Sequence, residues 1–490
     1  MDGVLERWSI ATELYVSENL DGFCSRSQKI GVGFSFFQYS ITPTLHMYVE
    51  QSRVMERPLP GGKPKPGPLG LDSLLIVPQK EVIIMKKNRR TSMVIAVILT
   101  IVCFFSLAWG EKPIKIGVPL PLSGPYAHDG LIGKQSVIFA TEDINSKGGV
   151  LGRKLELLYY DVEDVMPEKV MASAQDLVMG KGVDLIVTSW VDYGVDVKAY
   201  GRFDVPYFAG AASSLSIKAY QEDPKKYWNF FQYFSTEEEY SRQGWAKMMT
   251  IPYTYPNKKV YIINEDDHWS HVIADEYEML AKKDGWEIVG KDTVSVGNVE
   301  WGGILTKIRS TDPAIIMMIT LSPTAEAAFL TQFHKAPTQS LIHMPYCPSA
   351  PEFIQLGGKY AEGVLWNTLL GILPGPEADA FKEKFIKRFG KETWGISYPA
   401  GIWDMMHFWV DAVNKVGKVD DYKAIADYLS KTPYKGLCGT YVYPEKTNTI
   451  ISGDEYIPAP FFQVQNGKDV QLYPENWKQG DFIVPSWIKK

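Results

Sequence analysis

The residues best suited to chemistry in this sequence are few. Asp266 and Asp267 stand side by side, and His268 and His271 follow them, three positions apart. Two histidines at that spacing can share a metal, but no third ligand accompanies them. The adjacent acids read equally well as a solvated turn. Gly133-Lys134 resembles the end of a phosphate-binding loop, yet His128 occupies the place of the earlier glycine and Gln135 that of the Ser or Thr. There is no G-x-S-x-G and no evident Cys/His pairing. The four cysteines, Cys24, Cys103, Cys347 and Cys438, form no CxxC. No catalytic residue, metal site or cofactor is expected from these motifs.

Composition points the same way. At 490 residues the chain has room for two or three domains. Its net charge of −6 argues against a nucleic-acid partner, which calls for a basic face. The 14 Trp and 27 Tyr could line a pocket, although a well-packed core is the plainer use for them.

One segment addresses location. From Met85 the chain reads MKKNRRTSMVIAVILTIVCFFSLAWG, with Lys86, Lys87, Arg89 and Arg90 ahead of an apolar run from Met93 to Leu107. Ala108-Trp109-Gly110 puts small residues where a signal peptidase needs them, before Glu111. The apolar run is short for a membrane span, which takes about 20 residues. Residues 85–110 are therefore expected to be a cleaved secretory signal, and the mature protein periplasmic. In that compartment Cys347 and Cys438 could pair, or stay buried and free. Residues 1–84 show no sustained period and contain the Pro/Gly-rich PLPGGKPKPGPLG. Lys80-Glu81-Val82, just before Met85, is a string whose codons can contain a ribosome-binding sequence. Residues 1–84 are thus expected to be leader from a start assigned too early.

From Ile114 onward, short apolar runs alternate with amphipathic stretches. Strands are expected at Ile114–Leu120, Lys154–Val162, Val183–Thr188 and Val205–Phe208, and again at Val260–Asn264, Glu287–Val296 and Ala314–Thr320. Helices are expected at Lys134–Ser146, from Pro167, at Ile273–Lys283 and at Trp301–Ser310. Gly148 and Gly149 stop the first, and Pro167 opens the second. Strands interleaved with helices imply parallel sheets covered on both faces. Two such blocks imply an α/β protein of two doubly wound parallel-sheet lobes, with ligand in the cleft at the carboxyl ends of the strands.

Three pieces in fixed order carry a family resemblance: PLSGPYAHDG (121–130), DINSKGGVLGRKLEL (143–157) and YDVED (160–164). They resemble the opening of the type I periplasmic solute-binding proteins, the leucine/isoleucine/valine-binding branch in particular. NEDDHWS (264–270), PEFIQLGGKYAEGV (351–364) and YKGLCGTYVYPE (434–445) extend the likeness to the C-terminus. The resemblance implies an extracytoplasmic binding protein of an ABC importer, not an enzyme. Its partners would be a small-molecule ligand and permease subunits in the inner membrane, and it would act as a monomer. It implies three crossovers, placed near Phe231–Thr236, Val364–Leu369 and Gly439–Tyr443. The first lobe is then 111–231 with 367–438, and the second 236–363 with 444–490.

By the same resemblance, first-lobe hydroxyls and backbone N–H groups hold the ligand's carboxylate, which points to Ser189, Trp190, Ala211, Ala212 and Ser213, with Ser123 and Tyr126 in the first loop next to the cleft. Trp269 replaces the tyrosine of a second-lobe aromatic wall. The two acids that hold an amino acid's ammonium fall at Tyr240 and Tyr346, and a further ligand-facing tyrosine falls at Leu321. Phenols in place of carboxylates imply a cargo other than a plain aliphatic α-amino acid: an organic or aromatic acid, an amide or a cation held by rings. Glu237, Glu238 or Glu239 taking over the ammonium is the counter-reading. A ligand-sensing receptor module of the same fold is the alternative function. It would need a membrane helix or signalling domain, and the residues up to Lys490 read as neither.

Overall fold

The computed structural model describes residues 112–489 apart from 125, 192, 193, 392 and 393. The expected leader and signal segment lie outside these residues.

Two sheets organise the chain. The first holds β1 (Ile114–Leu120), β2 (Leu155–Asp161), β3 (Leu185–Val187), β4 (Tyr207–Ala209) and β5 (Phe230–Gln232), all parallel, in the order β2-β1-β3-β4-β5. Between them run α1 (Ala127–Ser146), α2 (Pro167–Ala174), α3 (Val195–Tyr200) and α4 (Ser214–Glu222). The second lobe opens with α5 (Glu237–Met248), β6 (Lys259–Glu265), α6 (His268–Lys283), β7 (Glu287–Val294), α7 (Gly302–Thr311) and β8 (Ile315–Ile319). It continues through α8 (Pro323–Phe333), β9 (Leu341–His343), α9 (Pro351–Gly357) and β10 (Leu365–Asn367). The chain then returns to the first lobe as α10 (Pro376–Phe389), α11 (Tyr398–Val416) and α12 (Tyr422–Lys431), where α11 packs along α1 and Phe139 of α1 meets Phe381 and Phe385 edge-on. A hairpin of β11 (Tyr434–Gly436) and β12 (Gly439–Tyr441) follows, then β13 (Phe461–Gln465) and β14 (Lys468–Tyr473).

The second sheet runs β14-β13-β10-β9-β8-β6-β7. Its middle is parallel, and β13 and β14 add an antiparallel edge. The central strands are continuous apolar runs because helices cover both faces: Ile315 to Ile319 are entirely buried. Helix starts are fixed by side-chain caps, Ser213 on α4, Thr236 on α5, Asp267 on α6 and Ser322 on α8.

Three expectations need correction. The first helix begins at Ala127 rather than Lys134. A Cβ on Gly130 would lie 1.9 Å from the Pro121 carbonyl oxygen, so glycine lets the helix seat directly on the end of β1. The second crossover begins later than Val364, because Leu365–Asn367 is itself a strand paired with β9 and β13. The third crossover is also later than Gly439–Tyr443. Thr449 bridges Gln232 of β5, and the Gln232 N–H and C=O bond Asn448 and Ile450. The chain therefore stays beside the first sheet to Ile450 and reaches the second only at β13.

Candidate functional site

The carboxyl ends of the parallel strands in the two sheets frame a cavity lined by Asp129, Trp190, Gly210, Ala212, Phe234, Tyr240, Trp269, Leu321, Tyr346 and Tyr398. Six of the residues singled out from sequence meet here: Trp190, Ala212, Tyr240, Trp269, Leu321 and Tyr346. An adjoining space shares Asp129, Leu321, Tyr346 and Tyr398 and adds His128, Cys347 and Ser397.

The second lobe builds its wall through one backbone group. The carbonyl of Asn367, at the end of β10, accepts the Tyr240 hydroxyl and also the Tyr346 N–H, the latter at 3.0 Å. That fixes both tyrosines against Trp269, whose ring meets Tyr240 and Tyr346 edge-on at 5.8 and 6.0 Å. Trp269 itself stands in the first turn of α6, held by the Asp267 cap. Tyr346 sits at φ 68°, ψ −59°, and the Cys347 N–H bonds the Pro345 carbonyl at 2.9 Å across it. This is a γ-turn of the strained hand, which costs of order 1–3 kcal/mol and is found where a side chain must be aimed. The Leu321 N–H is anchored by the buried Glu265 carboxylate at 2.8 Å.

The first lobe contributes Trp190, buried, with Tyr126 packed edge-on behind it at 4.3 Å. The remaining sequence-selected residues stand back from the cavity. Ser213 is spent capping α4 through the Ser216 N–H at 3.1 Å. Ser189 is fully buried, its hydroxyl 3.5 Å from the backbone oxygen of Asp129. Ala211 is buried, while its neighbours Gly210 and Ala212 line the cavity. Ser123 is exposed and bonds Asp161. Of the three glutamates considered, Glu237 is fully buried and accepts the Ser214 N–H at 2.6 Å; burial pushes its carboxyl up to about 7. It ties α5 to the start of α4 and is not among the lining residues.

Sequence reasoning missed Asp129, Phe234 and Tyr398. Asp129 matters most, because it returns a carboxylate to a cleft read as having lost its acids. It lies in the first turn of α1, and the Tyr346 hydroxyl of the opposite lobe donates to its Oδ1 at 2.7 Å. Burial raises its pKa against the opposing pull of the neighbouring His128 charge and the Tyr346 bond. A second contact crosses the cleft alongside it: His128 Nδ1 lies 3.3 Å from Glu352 of α9. Burial would lower the His128 pKa, but the Glu352 hydrogen bond and the Asp129 and Glu352 charges lift it above its ordinary value. Cys347 and Cys438 are both buried and unpaired with each other. The His268/His271 pair forms no metal cluster among the described residues, and His271 instead meets Asp266 at 3.0 Å.

This arrangement can enclose a small molecule between rings, with one acid at the edge. Comparison with known proteins identifies the family. The family model described as "Periplasmic binding protein" matches residues 113–468. The Leu/Ile/Val-binding protein homolog 3 of Brucella melitensis is 26% identical over 379 residues, 75% of this chain and 95% of its own length. A crystal structure from Silicibacter pomeroyi, described as a candidate branched-chain amino acid ABC transporter, is 26% identical with a TM-score of 0.70, covering 77% of this chain and 100% of that one. A solute-binding protein from Rhodopseudomonas palustris, solved with benzoate, shares the fold at 16% identity and TM-score 0.61, over 76% of this chain and 98% of that one. These relatives bind solutes rather than transform them, and the chain belongs to the periplasmic binding protein family.

Proposed function

We propose that this protein is the extracytoplasmic substrate-binding component of an ABC importer, secreted through the signal at residues 85–110 and delivering its cargo as a monomer to inner-membrane permease subunits. The cargo is a small amino acid-like compound, aromatic acid or amide with a flat body, rather than a plain aliphatic α-amino acid. The observation that carries this is the cavity wall, where Trp190, Phe234, Tyr240, Trp269, Tyr346 and Tyr398 converge from both lobes. Rings offer large contact area and offset or edge-on packing to another flat group. Binding a ligand that touches both lobes selects the closed arrangement. The Brucella melitensis relative is named for leucine, isoleucine and valine, and the Rhodopseudomonas palustris protein holds benzoate, so relatives on this fold take both kinds of body.

Thermal-shift measurements on the mature chain test the reading. Phenyl-bearing amines, amides and acids are expected to raise the melting temperature more than leucine or valine. Larger shifts with leucine or valine would overturn it.

A further inference from the structure

The cavity wall is uneven in charge. Asp129 is the only ionisable acid or base of ordinary range among its lining residues, and no lysine or arginine lines it. The carboxylate has one side-chain hydrogen bond among the described residues, from Tyr346. The neighbouring His128 lends it charge, but the imidazole Nδ1 is directed to Glu352. Asp129 is half-buried, and a single phenol only partly replaces the water its carboxylate loses there. The rings of Trp190, Tyr240, Trp269 and Tyr346 share the cavity with it. Ring faces attract cations through their quadrupole, and the attraction grows as water is excluded. Carboxylate and rings therefore favour the same ligand group, and both disfavour an anion in that position.

We infer that the ligand carries a positively charged nitrogen and that Asp129 is the residue that recognises it. The inference rests on the cleft being the ligand site and narrows the cargo to amine-bearing compounds, zwitterions included. Simple organic acids fall outside it. Asp129 reaches the cavity only because α1 begins at Ala127, which places the acid in the first helical turn facing the opposite lobe.

Isothermal titration of the mature chain with benzylamine, benzamide and benzoate tests the charge preference on one constant body. The expected order of affinity is amine, then amide, then acid. Asp129→Asn should weaken benzylamine by roughly tenfold or more, as loss of a charge-assisted hydrogen bond does, and leave benzamide little changed. Asp129→Glu should keep the amine preference. Tightest binding by benzoate, or equal benzylamine affinity in wild type and Asp129→Asn, overturns the inference. So does absence of benzylamine binding in protein that binds either other probe. Repeating the series with butylamine, butyramide and butyrate separates the two claims. Aliphatic probes outperforming aromatic ones breaks the flat-body reading, while the amine-to-acid order still decides the role of Asp129 in the wild-type chain alone.

Discussion

Two acids of the first lobe make opposite bargains with burial. Asp404, in the middle of α11, accepts the Leu437 and Cys438 N–H groups at 2.8 and 2.9 Å and the Tyr441 hydroxyl at 2.9 Å. Burial pushes its carboxyl up to about 6, with those donors pulling the other way. Asp129, at the cleft, has the Tyr346 hydroxyl at 2.7 Å and open space beside it. A buried acid ringed by donors from its own lobe is structure: it pins the β11–β12 hairpin to α11. An acid with one side-chain donor among the described residues, supplied from across a cleft, fits the recognition role inferred for Asp129.

The sharpest way to break this contrast is to remove each acid in turn. Asp404→Ala strands three buried donors and should cost roughly 3 kcal/mol or more of unfolding free energy. Asp129→Asn should shift ligand-free stability by no more than about 1 kcal/mol, since it removes an under-compensated charge. Urea denaturation of both variants reads the difference, and equal losses would erase the distinction. The donors give a smaller effect. Tyr441→Phe takes one bond from a carboxylate that water does not reach and should cost about 1.5 kcal/mol, whereas Tyr346→Phe, at the rim of a cavity, should cost less than that.

The smallest effect is a pH dependence. The His128 pKa is raised, so its contribution to closure is complete below its ordinary value of 6.5 and lost as pH rises through the higher folded value. The Glu352 pKa is lowered, so its contribution is present above its ordinary 4.5 and lost as pH falls through the lower folded value. The cross-cleft contact is thus strongest between pH 4.5 and 6.5. Both side chains are about a third exposed, so the contact is worth only a modest ion pair. Ligand affinity should fall by about twofold between pH 6 and pH 8. His128→Gln should flatten that slope while leaving Asp129 in place, and an unchanged slope would remove the contact from the account.

The fold was legible in sequence wherever an apolar run ended in a turn signal. Ile114–Leu120 emerged with those bounds, and Pro167 opens α2 as its fixed φ requires. The antiparallel edge of β13 and β14 and the late third crossover were not legible, because they depend on partners far away in the chain, such as Thr449 beside Gln232. The cavity residues were readable where a motif carried them: Trp190, Ala212, Tyr240, Trp269, Leu321 and Tyr346. Ser213 caps α4 here, since a hydroxyl that suits a ligand carboxylate equally suits a helix N-cap. Asp129 was hidden by its surroundings. Gly124, Gly130 and Gly133 flank it and read as a loop, and an acid in a loop reads as solvated. Close packing of α1 on β1, invisible in one dimension, turns that loop into a helix start and points the acid inward.

The central claim is that this ring-lined cleft holds a small molecule. Native mass spectrometry of the mature chain purified from its own host tests it most directly. The account predicts one small-molecule adduct per chain, released intact on unfolding and lost from a Trp190→Ala/Trp269→Ala variant that still folds. An adduct retained by that variant, or a wild-type chain that carries none, would contradict it.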